Sequence, residues 1–326
     1  MAAYTTPNPA ELAALCRRLG LGAPVALAPV AAGVENSTWL LTFAAESAPD
    51  VPAAWVLTIV ERGEAAELRF PTAVCAALHR AGLPVPAPRA AADGERVHRL
   101  SGKPALLVPR APGRHVLAPQ PVHCGAIGNF LARMHRLGDP AGVAARANPF
   151  GRTWLERAAA ALAPGLDPAD ATLLARQLDR YRQLAAADAL PRGPIHADLF
   201  RDNALFVGER LSAVIDFNSA CADWLLLDVA IALHDWAGTA EGGFDPVRAA
   251  ALLAAYARRR RFTAAEFGAW RDVLALAATR FWVSRELALR APSAELTGRG
   301  HKDPEEYRAR LRHCRAGPVP PLPEPG

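Results

Sequence analysis

Lysine is almost missing from this sequence. Of its 37 basic residues other than histidine, only Lys103 and Lys302 are lysine and the rest are arginine. With so much alanine and proline alongside, this reads as compositional bias. No CxxC pair occurs, and the five cysteines (Cys16, Cys75, Cys124, Cys221 and Cys314) are scattered and odd in number. That excludes a disulfide framework and a thiolate zinc site, and fits a reducing compartment. No apolar run approaches the roughly 18 residues of a membrane span. The best one, WLLLDVAIAL from Trp224, is broken by Asp228. The N-terminus, MAAYTTPNPAELAALCRRLG, lacks the basic flank, apolar core and cleavage site of a secretory signal. A cytoplasmic protein without a membrane partner is expected.

The net charge of +5 is spread along the chain, and the one dense run, Arg258 to Arg261, has no aromatic-rich motif beside it. Nucleic acid is therefore not an expected partner. At 326 residues and 51% hydrophobic content the chain supplies one large or two moderate cores. Oligomeric state is not legible.

The first third reads as consecutive short strands: PVALAPVA, STWLLTF from Ser37, AAWVLTIVE from Ala53, and PALLVPRAPG from Pro104. Such a series predicts an antiparallel sheet. Between the last two, AAELRFPTAVCAALHRAG places Leu68, Val74 and Leu78 on a helical face, with Pro71 near the first turn and Gly82 and Pro84 as stops. The Pro/Gly turn after Pro104 predicts a hinge between two lobes. Helical periodicity then takes over: VHCGAIGNFLARMHRLG aligns Ile127, Phe130, Leu131 and Met134, Ala-rich helices run from Thr153 to about Leu190, and more run from Trp224 to about Tyr307. The fold class is α+β and bilobal, with a small sheet-bearing lobe at 1–108 and a mainly helical lobe at 109–316. The Pro-rich end, 317–326, predicts a disordered tail.

The stretch PIHADLFRDNALF, from Pro194, carries the chemistry. It sets His196, Asp198, Asp202 and Asn203 inside an apolar frame, where a charge is costly unless something pairs with it. Eighteen residues after Asp198, AVIDF ends a second apolar run on Asp216. Two carboxylates and a carboxamide from neighbouring loops make a hard-oxygen site that suits Mg²⁺. Phosphoryl transfer asks for the same set: a carboxylate that accepts the hydroxyl proton, and an Asn and an Asp that hold metal. Asp198, Asn203 and Asp216 fit these roles in chain order. Asp and Asn also populate ordinary turns, so the spacing with the second run gives the signal its weight. His196 is expected to hold the loop by hydrogen bonds, since Asp198 already supplies the base.

Several ordered blocks resemble the protein-kinase-like phosphotransferases of small molecules, the aminoglycoside and choline kinase superfamily, and within it the bacterial homoserine kinases. They are GVENSTWLL at Gly33, WVLTIVER followed by ELRF, GLPVPAP, LSGKPALLV, HCGAIGNFLARMH, HADLFRDNALF, AVIDFNSACADWLLLDVAIALHDW, RFWVSREL at Arg280 and HKDPEEYRARLR. The resemblance covers nearly the whole chain. It implies a kinase-like bilobal fold, ATP and Mg²⁺ as cofactors, Asp198 as catalytic base, and Asn203 and Asp216 as metal ligands. Gly33, Val34, Glu35, Asn36 and Ser37 would cover the nucleotide phosphates, where a permissive backbone can approach closely. Where general kinases carry a phosphate-binding lysine, this chain has Thr58, as the homoserine kinases it resembles share. Mg²⁺, backbone amides or an arginine such as Arg62 are left to meet the phosphate charge, with Glu67 a possible orienter.

The resemblance further implies L-homoserine as acceptor, in threonine synthesis. A zwitterion with a primary hydroxyl needs a cation, an acid and a base. Arg280 is expected for its carboxylate and Asp202 or Asp223 for its ammonium. Asp228, heading the DVAIAL helix, is read as a cap bracing the catalytic loop. Asn218 and Ser219 stand where relatives more often carry aromatics, which points to a more polar pocket. The alternatives are a choline, aminoglycoside or methylthioribose acceptor, or a catalytically silent kinase-like binding protein. A polycationic aminoglycoside would want an acidic cleft in a chain that is basic overall, and choline would want an aromatic cage from Trp224 and Trp236.

Overall fold

The computed structural model describes residues 4–30, 36–44, 52–140, 142–290 and 302–324. These fall into two compact units that divide between Pro112 and Gly113, with Pro140 and 142–144 assigned to the first. The boundary expected at 108/109 lies a few residues earlier.

Unit 1 opens with a helix that periodicity did not single out, α1 (Pro9–Arg18). Its start is nonetheless written locally. The Asn8 side chain accepts from the amides of Ala10 and Glu11, and Pro9 occupies the first position, where no N–H is needed. Five strands follow: β1 (Pro24–Pro29), β2 (Ser37–Phe43), β3 (Ala54–Ile59), β4 (His98–Leu100) and β5 (Lys103–Pro109). They form one antiparallel sheet in the order β1-β2-β3-β5-β4. A 3-10 turn (Ala65–Leu68) and α2 (Arg69–Arg80) lie between β3 and β4. Pro71 falls in the first turn of α2, as expected.

Strand alternation gives the sheet two faces. Trp39, Leu41, Phe43, Trp55, Leu57, Ile59, Ala105 and Leu107 are buried and share a core with Leu12, Leu15, Cys16 and Leu19 of α1. The other face is only half-buried and carries Thr38, Leu40, Val56, Thr58, Leu106 and Val108 in adjacent register.

Unit 2 is helical around two small hairpin-like sheets. In chain order it contains α3 (Pro121–Arg136), α4 (Arg152–Leu162), α5 (Pro168–Ala187), β6 (Arg192–Ile195), β7 (Ala204–Val207), β8 (Arg210–Val214), β9 (Cys221–Trp224), α6 (Leu225–Trp236), α7 (Pro246–Ala257), α8 (Ala264–Arg290) and α9 (Pro304–Ala316). β6 pairs with β9 and β7 with β8, both antiparallel. Every residue of α6 from Leu225 to His234 is buried, so this helix is apolar all round and central. The exceptions to its apolar character, Asp228 and His234, therefore need internal partners.

The tail is a correction. Composition predicts disorder after residue 316, yet Trp270 Nε1 donates to the Pro320 carbonyl at 2.8 Å, Arg271 Nη1 donates to the Gly317 carbonyl at 3.0 Å, and Leu322 is buried. A proline-rich strand is already stiff and keeps its carbonyls free, so docking it costs little entropy. Among the described residues no helix is long and apolar enough to cross a membrane, and all five cysteines are free and buried.

α3 and α7 cross closely at Gly128, where an added Cβ would stand 2.1 Å from the Leu252 carbonyl oxygen. Gly128→Ala is expected to destabilise the protein by about 2–3 kcal/mol in urea unfolding. A change within about 0.5 kcal/mol, the range of an ordinary surface substitution, would show that the helices separate freely.

Candidate active site

Three stretches of unit 2 converge. β6 delivers residues 196–200, a 3-10 turn (Arg201–Asn203) follows, and β8 delivers Ile215 and Asp216. Asn203 Nδ2 donates to the Asp198 carbonyl at 2.8 Å and lies 3.3 Å from its Oδ2. The loops are stitched together through Ile215: its amide donates to the Asn203 carbonyl at 2.9 Å and its carbonyl accepts from His196 Nε2 at 3.0 Å. His196 Nδ1 in turn accepts from the Asp198 amide at 3.2 Å. A carbonyl only accepts and an amide only donates, so the partners fix the neutral tautomer with the proton on Nε2. Burial holds the ring neutral too, pushing its pKa down against the charge of Asp228.

The backbone of this loop is under strain. Ala197 has φ of +63° and Asp216 has φ of +59°, in the left-handed region that costs a non-glycine residue of order 1 kcal/mol or more. Asp228 holds the first of these in place. Its Oδ2 accepts from the His196 amide and its Oδ1 from the Ala197 amide, both at 2.8 Å. On its far side Oδ2 meets His135 Nε2 at 3.1 Å, and His135 Nδ1 meets the Tyr256 hydroxyl at 2.8 Å. Burial by itself would raise the Asp228 carboxyl, but the hydrogen bond and charge of His135, with those of His196, carry it below its ordinary value. Asp228 is no helix cap: Trp224 precedes the helix, and the carboxylate reaches out to the loop instead.

Arg280 completes the clamp. Its Nη1 donates to the Ala197 carbonyl, and its guanidinium lies 4.5 Å from the Phe150 ring centre and 4.4 Å from that of Phe281. The group expected to meet a substrate carboxylate thus commits one nitrogen to the loop and is 5% exposed.

Asp198 is half-buried beside these groups. Burial raises its pKa to about 7; Arg280 works against the rise, and the carboxylates of Asp216 and Asp202 add to it. A site that discourages negative charge in this way is one that a cation would relieve. Asp216 is exposed, and among the described residues its Oδ1 meets the Asn218 amide alone, at 3.4 Å. Among the described residues no three of His, Cys, Asp and Glu gather into a cage. One free carboxylate and one carboxamide oxygen instead suit a hard cation that keeps water and phosphate as its other ligands.

The remaining expected residues are dispersed. Asp202 lies on the turn before Asn203 and pairs with Lys302 at 3.2 Å, both side chains more than half exposed. Asp223 is buried and internally satisfied: Oδ2 accepts from Asn148 Nδ2 at 2.7 Å and Oδ1 from the Trp224 amide at 2.8 Å. The Asn218 carbonyl accepts from Arg146 at 2.6 Å, which braces the loop after Asp216.

In unit 1, Gly33, Val34 and Glu35 lie outside the described residues. Asn36 Oδ1 accepts from the Glu61 amide at 3.2 Å. The Ser37 hydroxyl is buried, donates to Glu61, and accepts from the amides of Tyr4 and Thr5 at 2.8 Å each, so it is spent on the fold. Lys103 also pairs with Glu61. Thr58 stands on the half-buried face beside Thr38 and Leu106.

Sequence reading missed Asp235, His135 and Tyr256. Asp235 accepts from the Arg201 amide at 2.7 Å and from its Nε at 3.1 Å, fixing the turn that carries Asp202 and Asn203. The available signal was helical spacing, because Asp228 and Asp235 are seven residues apart on one face of α6.

Residues 26–262 match the phosphotransferase enzyme family (APH). The chain is 40% identical over 312 residues to a homoserine kinase of Pseudomonas aeruginosa strain UCBPP-PA14, covering 95% of this chain and 96% of that one. It is 38% identical to a homoserine kinase of Methylobacillus flagellatus, covering 96% and 95%. Among solved structures it is similar to the amicoumacin kinase hAmiN in complex with AMP-PNP, Ca²⁺ and Ami, with a TM-score of 0.67, 19% identity and coverage of 91% and 90%.

The raised pKa of Asp198 has a stability consequence. The folded state holds this proton more tightly than the unfolded chain, so ionisation costs stability: not at all below the ordinary carboxylate range, increasingly through it, and fully above about 7. Asp198→Asn removes that cost. In chelator-treated protein the variant is expected to have a higher Tm than wild type at about pH 8, with the gap closing towards about pH 4. A lower Tm at pH 8 would mean that the ionised carboxylate stabilises the fold.

Proposed function

The chain belongs to the phosphotransferase enzyme family, and from that premise we propose that it transfers the γ-phosphoryl group of ATP to the hydroxyl of L-homoserine, yielding O-phospho-L-homoserine and ADP for threonine synthesis. The observation that carries the acceptor is the near full-length kinship with homoserine kinases. The geometry of unit 2 supplies the chemistry.

Asp198 takes the acceptor hydroxyl as a hydrogen-bond donor, aims its oxygen, and receives its proton as the new P–O bond forms and the bond to the departing ADP breaks. A carboxylate with its pKa near 7 is matched to that exchange at neutral pH. The loop clamp of Asp228, His196 and Arg280 keeps Asp198 at one position, and positioning is the main protein contribution in phosphoryl transfer. Asn203 and Asp216 are the residues that would hold Mg²⁺, which when bound neutralises charge on the phosphate oxygens. The half-buried face bearing Thr58 would seat the nucleotide base, and Gly33 to Asn36 would cover its phosphates.

The alternatives weaken on specific observations. Trp224 and Trp236 are 1% and 0% exposed, so neither is placed to form the aromatic cage a choline acceptor requires. A silent binding protein has no need of a desolvated Asp198 aligned with Asn203 by two contacts.

Asp198→Asn is expected to lower kcat by at least about a hundredfold while nucleotide affinity stays within about threefold. ADP release measured with homoserine, choline, an aminoglycoside and methylthioribose as separate acceptors should give the highest kcat/KM for homoserine. Unchanged kcat in the variant would remove Asp198 as base, and inert homoserine would remove the acceptor assignment.

A further inference from the structure

We propose that the Asp202–Lys302 ion pair is the recognition element for the acceptor's amino-acid group, opening to take the substrate ammonium on Asp202 and its carboxylate on Lys302. This rests on the homoserine reading above and deepens it.

The placement is the first argument. Asp202 sits on the 3-10 turn between Asp198 and the metal-side Asn203, one residue from the side chain that touches the Asp198 carboxylate at 3.3 Å. That turn is rigid, because Asp235 accepts from both the amide and the guanidinium of Arg201 and Arg201 Nη1 donates to the Leu117 carbonyl at 2.7 Å. Lys302 reaches the turn from the chain just before α9, with its Nζ 3.2 Å from Asp202 Oδ2 and 5.5 Å from the Phe200 ring centre. Phe200 packs on Phe281 at 4.7 Å, and Phe281 carries the Arg280 guanidinium on its face. Both charges also act on Asp198 electrostatically, Asp202 raising its pKa and Lys302 lowering it. The pair therefore lies at the edge of the catalytic loop.

The second argument is availability. Of the charges around Asp198, Asp228 is consumed by two amides and His135, Asp223 by Asn148 and the Trp224 amide, Asp235 by Arg201, and Arg280 by the Ala197 carbonyl and two aromatic faces. Among the described residues the only ion pair of Asp202 and of Lys302 is the one they make with each other, an exposed pair of the kind worth little net stability. Such a pair can be exchanged for a ligand's charges at small cost.

The third argument is complementarity. A zwitterion presents one cation and one anion on adjacent atoms, and a separated Asp–Lys pair presents the mirror set. Lysine suits the task, because its compact ammonium swings on a flexible stem and can follow a carboxylate in and out. In a chain that is otherwise uniformly arginine among its cations outside unit 1, position 302 is the one lysine of unit 2.

Three acceptors separate the two contacts: homoserine, 3-aminopropan-1-ol, which lacks the carboxylate, and 4-hydroxybutanoate, which lacks the ammonium. Lys302→Met is expected to raise the homoserine KM by at least about tenfold with kcat little changed, and to leave the KM for 3-aminopropan-1-ol at its wild-type value. Asp202→Asn should do the same for homoserine and spare 4-hydroxybutanoate. Lys302→Arg should recover most of the homoserine affinity, which a merely structural role on the surface would not require. The proposal is overturned if the homoserine KM of Lys302→Met equals wild type, or if both acceptors lose affinity equally. Wild-type enzyme that phosphorylates other alcohols and not homoserine would instead overturn the acceptor reading itself, and this subsite with it.

Discussion

One buried carboxylate organises the catalytic unit. Asp228 is 0% exposed, on a helix apolar around its whole circumference, where an ionised group is tolerated only if its oxygens are filled. They are filled by the His196 and Ala197 amides and by His135. Those amides belong to the residues just before Asp198, and Ala197 adopts a backbone that a non-glycine residue avoids. The need of Asp228 for donors thus becomes a positional constraint on Asp198. Losing it would leave two amides and a histidine unpaired in the core, at roughly 1–3 kcal/mol for each such group.

The same neighbourhood moves two carboxylates in opposite directions. Both are taken out of water, and desolvation alone raises both. Asp228 meets direct donors and ends below its ordinary value, while at Asp198 burial, with two carboxylates nearby, outweighs Arg280 and carries it to about 7. One acid is therefore ionised at neutral pH and structural, and the other titrates near neutral pH. Pairs whose environments separate their pKa values in this way are how a fold assigns roles to chemically identical side chains.

How much of this was legible depended on whether a residue's partners lie close in sequence. Asp198, Asn203 and Asp216 could be read together because phosphoryl transfer demands that set and the loops carrying them are adjacent. The antiparallel sheet of unit 1 was legible from strand alternation, since a period of two needs no knowledge of the partner strand. The helix α1 was written in its Asn8-Pro9 cap but overlooked, because its apolar face is short. Arg280 and Asp223, read as ligand-facing from residue type, and Ser37, read so from the resemblance, are each engaged by partners 32 to 83 residues away. Nothing local announces those contacts. The tail was misread because composition reports how stiff a segment is, not whether Trp270 and Arg271 wait for it on a helix some 50 residues back.

The absence of a lysine at position 58 becomes understandable from strand parity. Lys103 stands on the same sheet, and its distance in sequence from Thr58 makes it a tempting substitute. Yet Lys103 shares its side of β5 with Ala105 and Leu107, which belong to the core face, and its Nζ is tied to Glu61 and to Thr5 Oγ1 at 2.8 Å. Thr58 points the other way, in a row with Thr38 and Leu106. A side chain cannot change faces without a one-residue slip that would expose the whole hydrophobic set of its strand. Lys103 therefore cannot reach the face that bears Thr58, and it locks Glu61, Ser37 and the N-terminal segment together. Arg62, just beyond the end of β3, is exposed.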